Sequence, residues 1–169
     1  KSFHSIWKDQ NHQLWVGTLN GLFKIDTKKG VYKKYIFDTQ NRFKNRIQSI
    51  IKDHTGQLWV ASDEGLWQYD AVNQKFKAYS LPPNDQHHQP LILKLYEDTK
   101  HRFWVGTVGY LWMRDEKGQQ HTWKTFHIGS KQVEIQAVSD MKQDGSGNYW
   151  FATSIGLFIQ KPEKKRNRK

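Results

Sequence analysis

Short runs of alternating apolar and polar residues recur along this chain, and their spacing predicts strands rather than helices. Gln48-Ser-Ile-Ile-Lys-Asp53 and Gln57-Leu-Trp-Val-Ala-Ser62 are β-branched and aromatic runs separated by His54-Thr-Gly56, the composition of a tight hairpin. The chain then turns and re-enters as Gly65-Leu-Trp-Gln-Tyr69, matched elsewhere by Gly21-Leu-Phe-Lys-Ile25, Leu111-Trp-Met113 and Gly156-Leu-Phe-Ile159. Outer strands follow in three places, as Val31-Tyr-Lys-Lys-Tyr35, Lys75-Phe-Lys-Ala-Tyr79 and Thr122-Trp-Lys-Thr-Phe126. Their alternation of apolar and basic residues marks a strand with one wet face.

The runs belong to a repeat. Trp15, Trp59, Trp104 and Trp150 are 44, 45 and 46 residues apart, and an aspartate (Asp9, Asp53, Asp98, Asp144) stands six residues before each. A period in the mid-forties with strand patterning is that of propeller blades, small sheets that need neighbours to bury their faces. Three residues before each tryptophan stands a residue expected at positive φ: Gly56 and Gly147 in two units, His12 and His101 in the others. Each aspartate is expected to accept hydrogen bonds from turn amides. A small residue and a hydroxyl follow each tryptophan (Gly17-Thr18, Ala61-Ser62, Gly106-Thr107, Ala152-Thr153), which suits close sheet-to-sheet packing.

Leu14-Trp-Val-Gly-Thr18-Leu-Asn-Gly-Leu22, echoed in the other three units, resembles the two-component regulator propeller repeat over residues 1–160. Tyr110 stands where the other units have glycine, with Gly109 displaced by one, and Phe151 replaces valine. The resemblance implies an extracytoplasmic, periplasmic β-propeller sensor region of the kind found ahead of bacterial histidine kinases, hybrid two-component proteins and some diguanylate cyclases. The expected fold is all-β, with four-stranded antiparallel blades over residues 1–43, 44–88, 89–133 and 134–160, the last incomplete. Because that family's propellers are larger, the four blades are expected to form an arc. Its two open apolar faces are expected to meet the remaining blades or another copy.

The net charge of +11 raises nucleic-acid binding as a reading. Residues 161–169 hold six basic residues and one acidic, leaving +6 for residues 1–160, and are read as a solvated, disordered tail. The remaining lysines are scattered through outer strands and hairpins, and the aromatics are needed by the core, so no nucleic-acid partner is expected. No apolar stretch approaches a membrane span of ~20 residues, so no membrane insertion of this segment is expected. With no cysteine there is neither a disulfide nor a thiolate zinc site.

The catalytic search assigns no residues. His87-His88, near Asp85, is the one local histidine cluster, read as solvated rather than metal-binding, and neither a metal nor a cofactor is assigned. Asp144-Gly-Ser-Gly-Asn148 resembles the start of a calcium loop but lacks the later carboxylates. An acid that recurs in every unit answers to the fold, since an active site is used once.

What remains is a binding face. The connections between second and third strands and the blade-to-blade crossings gather at one end of a propeller, and they vary here against a repeated background. Asn20, Asn45, Arg46, Asp63, Glu64 and Tyr110 are the candidate ligand-binding residues, expected at the surface and suited to a small molecule or glycan. The leading function is a non-catalytic sensory module. A scaffold for another protein is the alternative, and a quinoprotein- or glycosidase-like enzyme the third reading.

Overall fold

A computed structural model describes residues 3–9, 12–82 and 90–161. His87 and His88, Asp85 and the basic residues beyond Lys161 lie outside the described residues. The first sheet holds β1 (Phe3–Lys8), β2 (Gln13–Thr18), β3 (Gly21–Asp26) and β4 (Val31–Tyr35). After a short 3-10 turn at Arg42–Asn45 comes the second, with β5 (Ile47–Lys52), β6 (Leu58–Ser62), β7 (Gly65–Asp70) and β8 (Lys75–Tyr79). The third holds β9 (Ile92–Glu97), β10 (Phe103–Thr107), β11 (Leu111–Arg114) and β12 (Gln120–Trp123). A hairpin of β13 (Thr125–Ile128) and β14 (Lys131–Glu134) follows, then a three-stranded sheet of β15 (Val138–Gln143), β16 (Tyr149–Thr153) and β17 (Gly156–Gln160). Within each sheet the strands pair antiparallel in chain order, which makes them propeller blades. None of the described helices is long and apolar enough to cross a membrane.

The turn chemistry is as the repeat predicts. His12, Gly56, His101 and Gly147 have φ of 61°, 85°, 58° and 82°. The aspartate carboxylates accept backbone amides across the turn: Asp53 Oδ1 takes those of Thr55 and Gln57, both at 3.0 Å. Asp98 and Asp144 repeat the arrangement, and Asp9 accepts from the Gln13 amide at 2.8 Å. The second carboxylate oxygen has a further role that spacing alone did not announce. It accepts the indole N–H six residues on, at 2.8 Å for Trp59, Trp104 and Trp150 alike. One carboxylate therefore fixes both the turn and the ring it feeds into the core.

Tryptophan then joins the blades. Trp15 meets Tyr69, Trp59 meets Phe103 and Trp104 meets Tyr149, each with ring centroids 5.0 to 5.2 Å apart across the seam to the following blade. Next to them the small residues permit close approach: a Cβ on Gly106 would stand 2.6 Å from the Val138 carbonyl oxygen. The hydroxyls of Thr18, Ser62, Thr107 and Thr153 each donate to the carbonyl three residues on, closing the second-to-third-strand turn. Nearer the axis, the Ser5 hydroxyl accepts the Ile50 amide and the Ser49 hydroxyl the Leu95 amide, at 3.0 and 3.1 Å.

Three expectations are corrected. The third outer strand is not Thr122–Phe126. Trp123 pairs with Leu111 as Tyr35 pairs with Leu22 and Tyr79 with Leu66, so the ladder ends there. Phe126 instead starts the extra hairpin, where it stacks on Phe151 and Phe158 at 5.2 and 4.7 Å. Trp150 is only partly buried, whereas Trp15, Trp59 and Trp104 are 1% to 3% exposed. The cause lies in the arc, which leaves blade faces uncovered at both ends. Leu157 is 61% exposed where its counterparts Leu22, Leu66 and Leu111 are at most 1%, and Ile6 is 66% exposed where Ile50, Leu95 and Met141 are at most 7%. The third correction concerns the candidate residues and falls in the site itself.

Candidate functional site

Second-to-third-strand turns and blade crossings lie at one end of the arc, and first-to-second-strand hairpins at the other. At the first end, a backbone bond recurs after three of the closing hydroxyls: Asp63 N–H donates to the Arg46 carbonyl, Val108 to Leu91, and Ser154 to Ala137. The positions so matched are apolar or small in two blades and an acid with an arginine in the second.

Arg46 Nη1 stands 3.0 Å from Asp63 Oδ2, and the Asp63 side chain is only 7% exposed. Gln48 donates to the other oxygen of Asp63, and His4 of the first blade lies 3.4 Å from Gln48 Oε1. Asn41 Nδ2 donates to Glu64 Oε2 at 2.6 Å, which draws the crossing onto the second blade's turn. Arg46 also leans on the ring of Phe43 at 5.8 Å, itself 38% exposed. A chain of polar contacts thus runs from His4 through Gln48 and the buried Asp63 to Arg46, with Glu64 and Asn41 beside it. A buried carboxylate already engaged by two donors holds its arginine in place, leaving the remaining guanidinium N–H groups to an acceptor from solvent.

The six candidate residues divide. Arg46, Asp63 and Glu64 come together, and Asn20 is exposed on the first blade's turn, its backbone N–H bonded to the Thr18 hydroxyl. The expectation of surface positions is corrected for Asn45, Asp63 and Tyr110, which are 6%, 5% and 3% exposed. Asn45 Oδ1 accepts the amides of Phe37 and Asp38 while its amide donates to the Asp38 carbonyl, so it staples the crossing. Tyr110 sits in the core of the second and third blades and donates its hydroxyl to the Pro82 carbonyl at 3.1 Å. Burial pushes its pKa up to about 12. Gly109, at φ 94°, takes over the turn conformation that glycine supplies one position later in the other blades.

The opposite end carries features the sequence reading passed over. Asp26, Asp70 and Asp115 form a second set of turn acids, each accepting two backbone amides in the third-to-fourth-strand hairpin. Their spacing of 44 and 45 residues was the available signal. A cleft of about 470 Å³ opens there between the first two blades, lined by Trp7, Trp15, Lys24, Tyr69, Asp70 and Lys77 among others. Lys24 Nζ lies 5.2 and 5.7 Å from the ring centroids of Trp15 and Tyr69, and Lys77 pairs with Asp70 at 3.1 Å. A wider one of about 1200 Å³ lies between the third and fourth blades. None of the six candidate residues lines either cleft.

Comparison with known proteins places this architecture. No family model matches the chain, and no curated protein does. Among solved structures, the extracellular domain of the B. thetaiotaomicron system BT4673 is 26% identical, with a TM-score of 0.76 over 94% of this chain and 21% of that one. The extracellular domain of the hybrid two-component system BT3049 of the same organism is 21% identical, with a TM-score of 0.69, over 95% of this chain and 22% of that one. A virginiamycin B lyase of Staphylococcus aureus, 13% identical at a TM-score of 0.65, shares the fold alone, over 96% of this chain and 56% of that one. The chain is a set of propeller blades similar to those of the BT4673 extracellular domain. It is similar to these extracellular domains and spans about a fifth of the length of those it matches.

Proposed function

We propose that this chain is a non-catalytic part of a sensory propeller in a bacterial signal-transduction protein, and that it recognises a small molecule or glycan at the end bearing Arg46, Asp63 and Glu64. The observation that carries the reading is asymmetry. Turn acids recur in every blade, whereas the pairing of arginine and acid after the closing hydroxyl occurs in one of the four. The arginine, amide and carboxylate groups there match the hydroxyls and carboxylates of sugars and sugar acids. No hydrolase, lyase or oxidoreductase turnover is expected.

Calorimetric titration with a panel of neutral and acidic oligosaccharides tests this. Arg46→Ala and Glu64→Ala should abolish binding of the active ligand; the melting temperature should stay within a few degrees of the parent for Glu64→Ala and fall further for Arg46→Ala, which leaves the buried Asp63 carboxylate without its cation. Binding that survives both removes the site from this end. The cleft between the first two blades is the second reading, since its volume, its three aromatic side chains and its lysines suit a single sugar ring. Loss of binding in Lys24→Ala, with Arg46→Ala unaffected, selects it. A scaffold role is the outcome if no small ligand binds and a protein partner is lost on substituting Arg46.

A further inference from the structure

At the hairpin end, the residue after the turn aspartate reaches the residue before the aspartate of the following blade at two seams. Between the third and fourth blades this link is plain: the Thr99 hydroxyl and amide donate to Gln143 Oε1 at 2.7 and 3.2 Å. Between the second and third blades the same two positions are His54 and Glu97, and the His54 amide donates to Glu97 Oε2 at 2.8 Å. His54 Nδ1 meets Glu97 Oε1 as well. A third group joins them here. His101, held at φ 58° by the turn that begins at Asp98, stacks on His54 with ring centroids 4.1 Å apart and planes 27° from parallel. The turn accounts for a histidine at this position, since His12 occupies it in the first blade with φ 61°. It does not account for a second imidazole laid against the first beside a carboxylate.

We propose that His54, Glu97 and His101 form a binding site for a divalent transition-metal ion such as Zn²⁺. Their donor atoms all lie within 4.8 Å of one another. Donors bound to zinc at ~2.1 Å are separated by about 3.5 Å in tetrahedral geometry, and small side-chain rotations of two exposed histidines cover the difference. Two imidazoles and one carboxylate are a donor set that selects Zn²⁺, Ni²⁺ or Cu²⁺ over Ca²⁺ and Mg²⁺, and three protein ligands leave a position open to water or to an acceptor on a ligand. The ion ties the turn of one blade to the strand end and turn of the next, across a seam that aromatic contacts and hydrogen bonds already join.

Zinc titration of the full chain by calorimetry tests the site. His101→Gly is the informative variant, because glycine holds positive φ at the matching positions Gly56 and Gly147, so the turn survives while the ligand goes. The parent should bind one Zn²⁺ with micromolar or tighter affinity and melt at a higher temperature when loaded. His101→Gly and His54→Gln should each weaken binding at least tenfold, with unaltered melting of the metal-free protein. A variant with His87 and His88 both changed to alanine should bind as the parent does. Absence of micromolar binding, binding that persists in His101→Gly, or binding lost with His87 and His88 overturns the proposal.

Discussion

The hydroxyl of Tyr149 donates to Asp98 Oδ2 at 2.7 Å, linking the fourth blade to the turn acid of the third. The same oxygen accepts from Trp104 Nε1 and from Arg102 Nε at 2.8 and 2.7 Å, and the Asp98 side chain is fully enclosed. A structural acid of the repeat has become the centre of a seam. Asp98→Ala leaves two buried donors and the half-buried Arg102 without their acceptor and should cost about 3 to 5 kcal/mol. Tyr149→Phe removes the bond to this charged acceptor together with those the hydroxyl accepts from Arg102 and Gln143, and should cost at least about 1.5 to 3 kcal/mol. Chemical unfolding of the two variants measures both.

Position in the arc should outweigh position in the repeat. Trp59→Ala is expected to cost about 3 to 5 kcal/mol, since the ring is 1% exposed and packed on Phe103. Trp150→Ala should cost clearly less, because part of its ring already faces water. Equal losses in unfolding experiments contradict the burial difference.

Gly106→Ala should be unfavourable by about 1 to 3 kcal/mol, because the added methyl meets the Val138 carbonyl oxygen at 2.6 Å and Met141 Cε at 2.8 Å. Gly145→Ala, where nothing lies within 4 Å and φ is not positive, should be neutral. Melting temperatures of the pair separate seam packing from a general effect of glycine.

Acid should loosen the turns. Side-chain hydrogen bonds from Trp150 and Asn148 hold Asp144 down at about 2, backbone amides of Asn41 and Gln40 do the same for Asp38, and Asn73 depresses Asp70. A carboxyl whose folded pKa lies below its unfolded value stabilises the fold above that unfolded value and loses the contribution as pH falls towards the folded one. The melting temperature should therefore decline between about pH 4 and pH 2. Asp144→Asn should flatten part of that decline.

The uncovered blade faces should associate. Leu157 and Ile6 expose apolar side chains at places buried in the inner blades, so the chain is expected to pair with further blades or with itself. Light scattering should report assemblies larger than a monomer at high concentration, reduced in Leu157→Lys. A monomer at all concentrations contradicts this.

The blade repeat was legible because it rests on local chemistry. A turn acid, a residue at positive φ and a ring six positions after the acid all announce themselves within ten residues. The third outer strand was misplaced because Phe126 looks like the aromatic that ends the other outer strands. The third hairpin is one residue shorter, and Trp123 takes that place. His54, Glu97 and His101 were scattered in the sequence, and only the packing of one turn against the next strand end joins them. Tyr110 read as a surface aromatic because it stands in a turn between strands, yet the ring packs into the core after Gly109 takes the positive φ. Arg46, Asp63 and Glu64 drew notice by their departure from the repeat, while the depth of Asp63 was not foreseen.

Every sheet described above is assembled from one uninterrupted stretch of chain, with each strand paired to the one just made. Strand pairing therefore closes only short loops, while the seams join groups some 45 residues apart, as Ser5 and Ile50 are. Ordering should then proceed as in other linear arrays, each finished blade offering the template on which the next condenses. A ribosome delivering this chain would present it one such template at a time.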